Sequence, residues 1–155
     1  MEDEDYHIGI HIEPNAAPLD PEPLRHAVCV ALKQHNIPAC RLSLAVVDDA
    51  RIAALNARYL GRKGPTDCLA FDLRDHGHAD AVEGEVVVSW ETARREAAAR
   101  KLSLQAELTL YVIHGLLHLL GYDDVDGQQA ARMHQTEDRI LTSLGLGPVY
   151  GAEPK

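Results

Sequence analysis

The chain has 155 residues, enough for one domain with a true hydrophobic core, and its apolar and charged shares of 46% and 25% are those of a globular protein. A formal charge of −9 excludes broad, non-specific nucleic-acid binding, which runs on many phosphate contacts, but leaves room for a local basic cleft. No apolar run reaches the roughly 18–20 residues of a membrane span, the acidic start MEDEDYHIGI shows no export signal, and Cys29, Cys40 and Cys68 lack CxxC spacing, so reduced thiols in a cytoplasmic protein are expected.

In chain order, YHIGIHIE (6–13) predicts a strand, with isoleucines 8, 10 and 12 alternating against His7, Gly9 and His11. Prolines 14, 18, 21 and 23 make a loop, and Asp20–Pro21 starts a helix to about His35 that buries Leu24, Val28, Ala31 and Leu32. RLSLAVVD (41–48) is a second strand, and Asp48 or Asp49 caps a short helix with Ile52, Leu55 and Tyr59 on one side. A Gly/Pro loop then enters a short strand at about 67–72, followed by an exposed hairpin connection over 73–84 containing His76, His78 and Asp80. EVVVSW (85–90) is the fourth strand, and helices follow at about 91–101, 104–120 and 127–144. The expected fold is α+β: one domain over 1–155 with flexible ends at 1–5 and 148–155, a mixed sheet of about four strands and about five helices, one of them central and buried. Basic residues gather in two places, Arg58, Arg62 and Lys63, and Arg94, Arg95, Arg100 and Lys101.

The chemistry concentrates in VIHGLLHLLGYDD (112–124). Residues i and i+4 share a helix face, so His114 and His118 project together as half of a metal site. Residue 115 is glycine, not the glutamate of an H-E-x-x-H protease, which argues against a zinc protease. Gly121 stands where a helix end favours the left-handed conformation, and a reversal there returns Asp123 or Asp124 toward the histidines. Two histidines, a carboxylate and a water form an accepted catalytic zinc set. The competing reading is a pair of core histidines on a buried helix. Glu107, two turns before His114, either orients it or is a surface charge. Ser89 has no recognisable base partner, and His7, His11, His76 and His78 read as surface residues.

This stretch resembles the signature H-G-x-L-H-L-x-G-Y-D-H of the YbeY-type rRNA maturation endoribonucleases. The resemblance extends to LNARYLGRKGPTDCLAF (55–71), which is similar to the family's L-N…P-T-D-V-L-S-F segment, to GEVVVSWETA (84–93), and to RMHQTEDRIL (132–141). It implies a single α+β domain, one divalent metal ion of the zinc type, and single-strand-specific RNA cleavage in maturation of the 16S rRNA 3′ end and ribosome quality control. Implied partners are single-stranded rRNA and the small ribosomal subunit or its assembly factors, with no membrane.

Carried over by position, the metal ligands are His114, His118 and Asp124, where the family has histidine in third place. Aspartate lowers the site's positive charge and makes a weaker Lewis acid. His134, one helix further on, is a substitute ligand. The family also places an arginine at position 60, a phosphate contact, where this chain has Leu60; Arg58 and Arg62 flank it and are the expected phosphate-gripping catalytic residues. Thr66 and Asp67 are expected to organise a turn, and Cys68 to face the core from its strand. Two rivals remain: a metal-dependent hydrolase of a small substrate, and a ribosome-assembly factor that binds RNA without cutting and keeps a structural metal.

Overall fold

Period-two and period-3.6 patterns alternate along the chain, and the computed structural model, which describes residues 5–16, 18–74 and 81–149, resolves them into four strands and five helices. The order is β1 (Tyr6–Ile12), α1 (Pro21–Gln34), β2 (Ala39–Val47), α2 (Asp49–Leu60), β3 (Cys68–Asp72), β4 (Ala81–Ser89), α3 (Trp90–Arg100), α4 (Leu104–Leu119) and α5 (Gly127–Ser143). The sheet runs β1-β2-β4-β3, with β1, β2 and β4 parallel and β3 antiparallel on the β4 edge. The α+β class and the strand and helix numbers are as expected.

Each helix begins where a short polar side chain satisfies a free backbone N–H. Asp20, Asp48, Ser89, Ser103 and Asp126 accept from Glu22, Arg51, Thr92, Ala106 and Gln129 respectively. Ser89 is therefore a helix cap, and its hydroxyl donates to Asp49 Oδ1 at 2.6 Å. The fourth strand departs from expectation at both ends. It starts at Ala81, because residues 81–84 pair with Ala39–Leu42 of β2, and it stops at Ser89, because Trp90 is the first residue of α3. Gly84 puts no side chain at its inward position and so weakens the alternation of Val82, Glu83 and Glu85, and pairing with a neighbour overrides that local signal. Of the rest of the expected exposed connection, Leu73 is exposed and its N–H donates to Glu83 O at 2.9 Å, while residues 75–80, with His76 and His78, lie outside the described residues. So do the expected flexible ends, apart from residues 5, 148 and 149.

The sheet has two unequal faces. One carries the main core: Leu42, Leu44 and Val46 of β2 and Val86 and Val88 of β4 pack with α1, α4 and α5. The other carries a small cluster of Val47, Ile52, Leu69 and Val87 under α2. No helix among the described residues is long and apolar enough to cross a membrane.

Helix α4 is the centre of the main core, with Val112, Ile113, Leu116 and Leu117 fully buried. Its approach to the sheet is unusually close. A Cβ added at Gly115 would lie 2.7 Å from Cys68 Sγ and 2.8 Å from Val86 Cγ1, and one added at Gly84 would lie 2.8 Å from Leu119 Cδ1. Residue 115 is thus glycine for packing, and no longer side chain fits there without moving α4 off the sheet. Gly115→Ala should destabilise the fold by about 1–3 kcal/mol, read as a lowered urea midpoint; an unchanged midpoint would show that the contact is looser than described.

Candidate metal centre

The four-residue spacing brings the two imidazoles of α4 together as expected. Their centroids are 4.7 Å apart at 83°, and His114 Nε2 and His118 Nε2 are separated by 3.2 Å. Each ring is held from behind. His114 Nδ1–H donates to Glu137 Oε2 on α5 at 2.7 Å, and Glu137 is fully buried. His118 Nδ1–H donates to the Tyr122 carbonyl at 3.1 Å. That carbonyl is in place because α4 ends in a reversal: Gly121 has φ +101°, and the Tyr122 N–H returns to Leu117 O at 3.0 Å. The same reversal carries Asp124 round. One ligand atom from each of His114, His118 and Asp124 lies within 4.8 Å of the others, with both histidines half-buried and Asp124 exposed. Of the two adjacent aspartates it is Asp124 that joins the group, while Asp123 Oδ1 accepts the Asp124 backbone N–H at 2.8 Å.

The donor set fits a divalent metal. With both Nδ1 atoms donating to fixed oxygens, the neutral rings aim both Nε2 lone pairs into one gap, and two facing lone pairs need a cation or a shared proton between them. Two imidazoles and a carboxylate are a usual zinc set with a position left for water. Burial would depress the basicity of His114, but the hydrogen bond and charge of Glu137, with the charges of Asp67 and Asp124, outweigh it and raise its pKa above the ordinary 6.5. The surroundings therefore favour positive charge at this position.

A profile of the endoribonuclease YbeY family matches residues 19–145. The chain belongs to that family. It is 42% identical over 119 residues to the endoribonuclease YbeY of Sinorhizobium medicae, covering 75% of this chain and 71% of that protein, and 41% identical with the same coverage to that of Rhizobium meliloti. The solution structure of TM1509 from Thermotoga maritima superposes with a TM-score of 0.61 at 26% identity, covering 95% of this chain and 97% of the other.

Beside this YbeY-family centre, several expectations need correction. Glu107 does not orient His114. Seven residues along a helix is about 10 Å, beyond a carboxylate's reach, and Glu107 instead lies fully buried 3.4 Å from Arg100 Nε and interacts with Tyr111. Neither of its oxygens has a donor in hydrogen-bonding geometry. The orienting glutamate is Glu137, which sequence spacing could not place because α5 reaches α4 only through the tertiary fold. The three-residue group does not include His134. Asp67 does help build its turn, accepting from Thr66 at 3.3 Å and from the Ser89 N–H at 3.1 Å, but its charge also acts on His114. Cys68 faces α4 at Gly115, and burial pushes its thiol pKa up, which keeps it inert.

Arg58 and Arg62 are both exposed. The Arg58 guanidinium lies 5.3 Å from the Tyr59 ring centroid, and Arg62 is positioned by its N–H on Asn56 O at 3.3 Å after the left-handed Gly61. Among the described residues no hydrogen bond or ion pair joins either guanidinium to His114, His118 or Asp124.

Glu137→Ala should weaken metal binding about 10–100-fold, measured by chelator competition; unchanged affinity would remove Glu137 from the centre. Glu107 gives a second test. Burial raises its pKa above the usual 4.5, only partly offset by Arg100, so its contribution favours the fold at low pH and is lost as pH rises through the raised value. Glu107→Gln should flatten that loss with rising pH in melting curves taken at several pH values, and parallel curves for the two proteins would contradict it.

Proposed function

We propose that this protein is a metal-dependent endoribonuclease that cuts single-stranded RNA, acting with the small ribosomal subunit in maturation of the 16S rRNA 3′ end. The observation that carries this reading is the pair of Nε2 atoms 3.2 Å apart, joined by Asp124, in a member of the endoribonuclease YbeY family. His114, His118 and Asp124 would hold the ion, with zinc the best match to two imidazoles and a carboxylate. Such an ion supplies either an activated water or Lewis acidity at a phosphate oxygen.

The chain's own residues do the rest. Glu137 and the Tyr122 carbonyl keep the two Nδ1 atoms protonated and the rings aimed. Asp124, exposed at the rim, leaves one side of the centre accessible to a long substrate. Arg58 or Arg62 would grip the phosphate and offset the charge that develops on it; a bidentate guanidinium suits both tasks. Leu60, 45% exposed where an arginine is implied, favours one alternative, an RNA-binding assembly factor that does not cut.

Elemental analysis of the native protein and of His118→Ala, followed by incubation of both with single-stranded RNA, separates these readings. About one zinc per native chain, lost in the variant together with cleavage, is the expected result. Metal bound by native protein that leaves RNA intact would select the assembly factor.

A further inference from the structure

On the face of the sheet away from α4, the end of α2, the edge strand β3 and its neighbour β4 border a hollow of about 550 Å³ lined by Leu55, Tyr59, Ala70, Phe71, Asp72, Leu73 and Glu85. That volume lies in the range of small-ligand sites. The aromatic wall is conspicuously wet. Tyr59 is 57% exposed and Leu73 58%, in a chain with only one phenylalanine, and that phenylalanine, Phe71, packs edge-on to Tyr59 with centroids 5.6 Å apart. Arg58 sits against the Tyr59 ring. Phe71 and Glu85 are directly opposite across β3 and β4, so their side chains share this face. Asp72 is already held by Arg74 at 2.7 Å. The Glu85 carboxylate, by contrast, is exposed and makes no hydrogen bond or ion pair among the described residues.

A covalent path joins this hollow to the metal centre. The segment 61–67 leaves α2 just after Tyr59 and ends at Asp67, whose charge reaches His114. Buried Asn56 pins the segment by donating to Gly64 O at 3.1 Å. Its exposed cations are Arg62 and Lys63. In a chain with net charge −9, one continuous segment thus leads from an aromatic hollow past two exposed cations to Asp67, whose charge acts on His114. Aromatic stacking beside cations is the physical signature of single-strand recognition.

We propose that this hollow is a base subsite that takes an unpaired guanine of the RNA substrate, stacked on the exposed Tyr59 ring beside Phe71 and read by the Glu85 carboxylate. This rests on RNA being the substrate. A carboxylate can only accept hydrogen bonds. Guanine alone offers two adjacent donors on its Watson–Crick edge, N1–H and the N2 amino group, which match the two oxygens. Adenine and cytosine set one amino group beside an acceptor, and uracil sets one N–H between two carbonyls. A base read on that edge cannot be paired, so the subsite itself selects single strands. Carboxylates at the hollow repel phosphates, which the backbone avoids by running along Arg62 and Lys63.

The test measures binding of uridine heptamers carrying one central guanosine or adenosine, made as 2′-O-methyl phosphorothioates to resist cleavage. Native protein should bind the guanosine heptamer about tenfold more tightly than the adenosine one. Tyr59→Ala should weaken guanosine binding about tenfold or more, Tyr59→Phe should retain it, and Glu85→Gln should abolish the preference. Equal native affinity for the two heptamers overturns the proposal. So does native-like binding by a folded Tyr59→Ala, which would leave a protein partner as the occupant of the patch. If Tyr59→Ala does not fold, the exposed Glu85→Gln decides alone. Guanosine preference without cleavage of the all-ribose heptamer upholds the subsite while the ribonuclease reading fails; cleavage without that preference does the reverse.

Discussion

Contact between helix α4 and the sheet, at the glycines on either side of it, is the constraint on which the rest of this structure depends. Gly115 lets the helix backbone settle against Val86 and Cys68, and Gly84 receives Leu119. With those two points fixed, α4 has no rotational freedom, and the face bearing His114 and His118 must turn toward the start of β3 and toward α5. The same contact decides what chemistry position 115 can offer. A glutamate there, the general base of a related helical metal motif, would occupy space already filled by the sheet. Catalytic help must then come from groups reached across the tertiary structure.

Two buried carboxylates illustrate how unequal such groups can be. Glu137 and Glu107 are both fully buried. Glu137 accepts a short hydrogen bond from His114, so its charge is used to set the ring's tautomer and to favour positive charge at the centre. Glu107 has an arginine at 3.4 Å and no well-directed donor, so its ionised form is tolerated more than it is used. An ionised group out of water is stable only as far as its partners replace the lost hydration. By that criterion Glu137 belongs to the site and Glu107 to the frame around it.

Charge is also segregated by element. Eight of the fifteen cations lie on or just after α2 and α3, while the charges of Asp67, Asp124 and Glu137 act on His114. Three acidic charges around paired imidazoles suit a site that holds a cation. Neither charge pattern is a matter of local structure.

What could be read in the sequence is what neighbours along the chain decide among themselves. The strand and helix types, the paired histidines and the reversal at Gly121 all follow from spacing within one or two helical turns and from a left-handed turn that glycine adopts without strain. The turn leaves Asp123 and Asp124 both open, and the family resemblance points to Asp124, whose carboxylate the structure groups with the two histidines. The start of β4 was not legible, because Ala81–Gly84 are strand only by pairing with β2. Glu137 was not, because 23 residues separate it from His114 and only the seating of α5 on α4 brings them to 2.7 Å. Arg58 and Arg62 could be named as cations but not directed, since a long exposed side chain takes its orientation from what it packs on, here a tyrosine ring in the case of Arg58. The sequence by itself determined the family, the α+β class and the residue types of the candidate metal centre; the tertiary structure alone decided which buried acid backs its histidine, because contacts between distant segments are set by packing and leave no periodic trace along the chain.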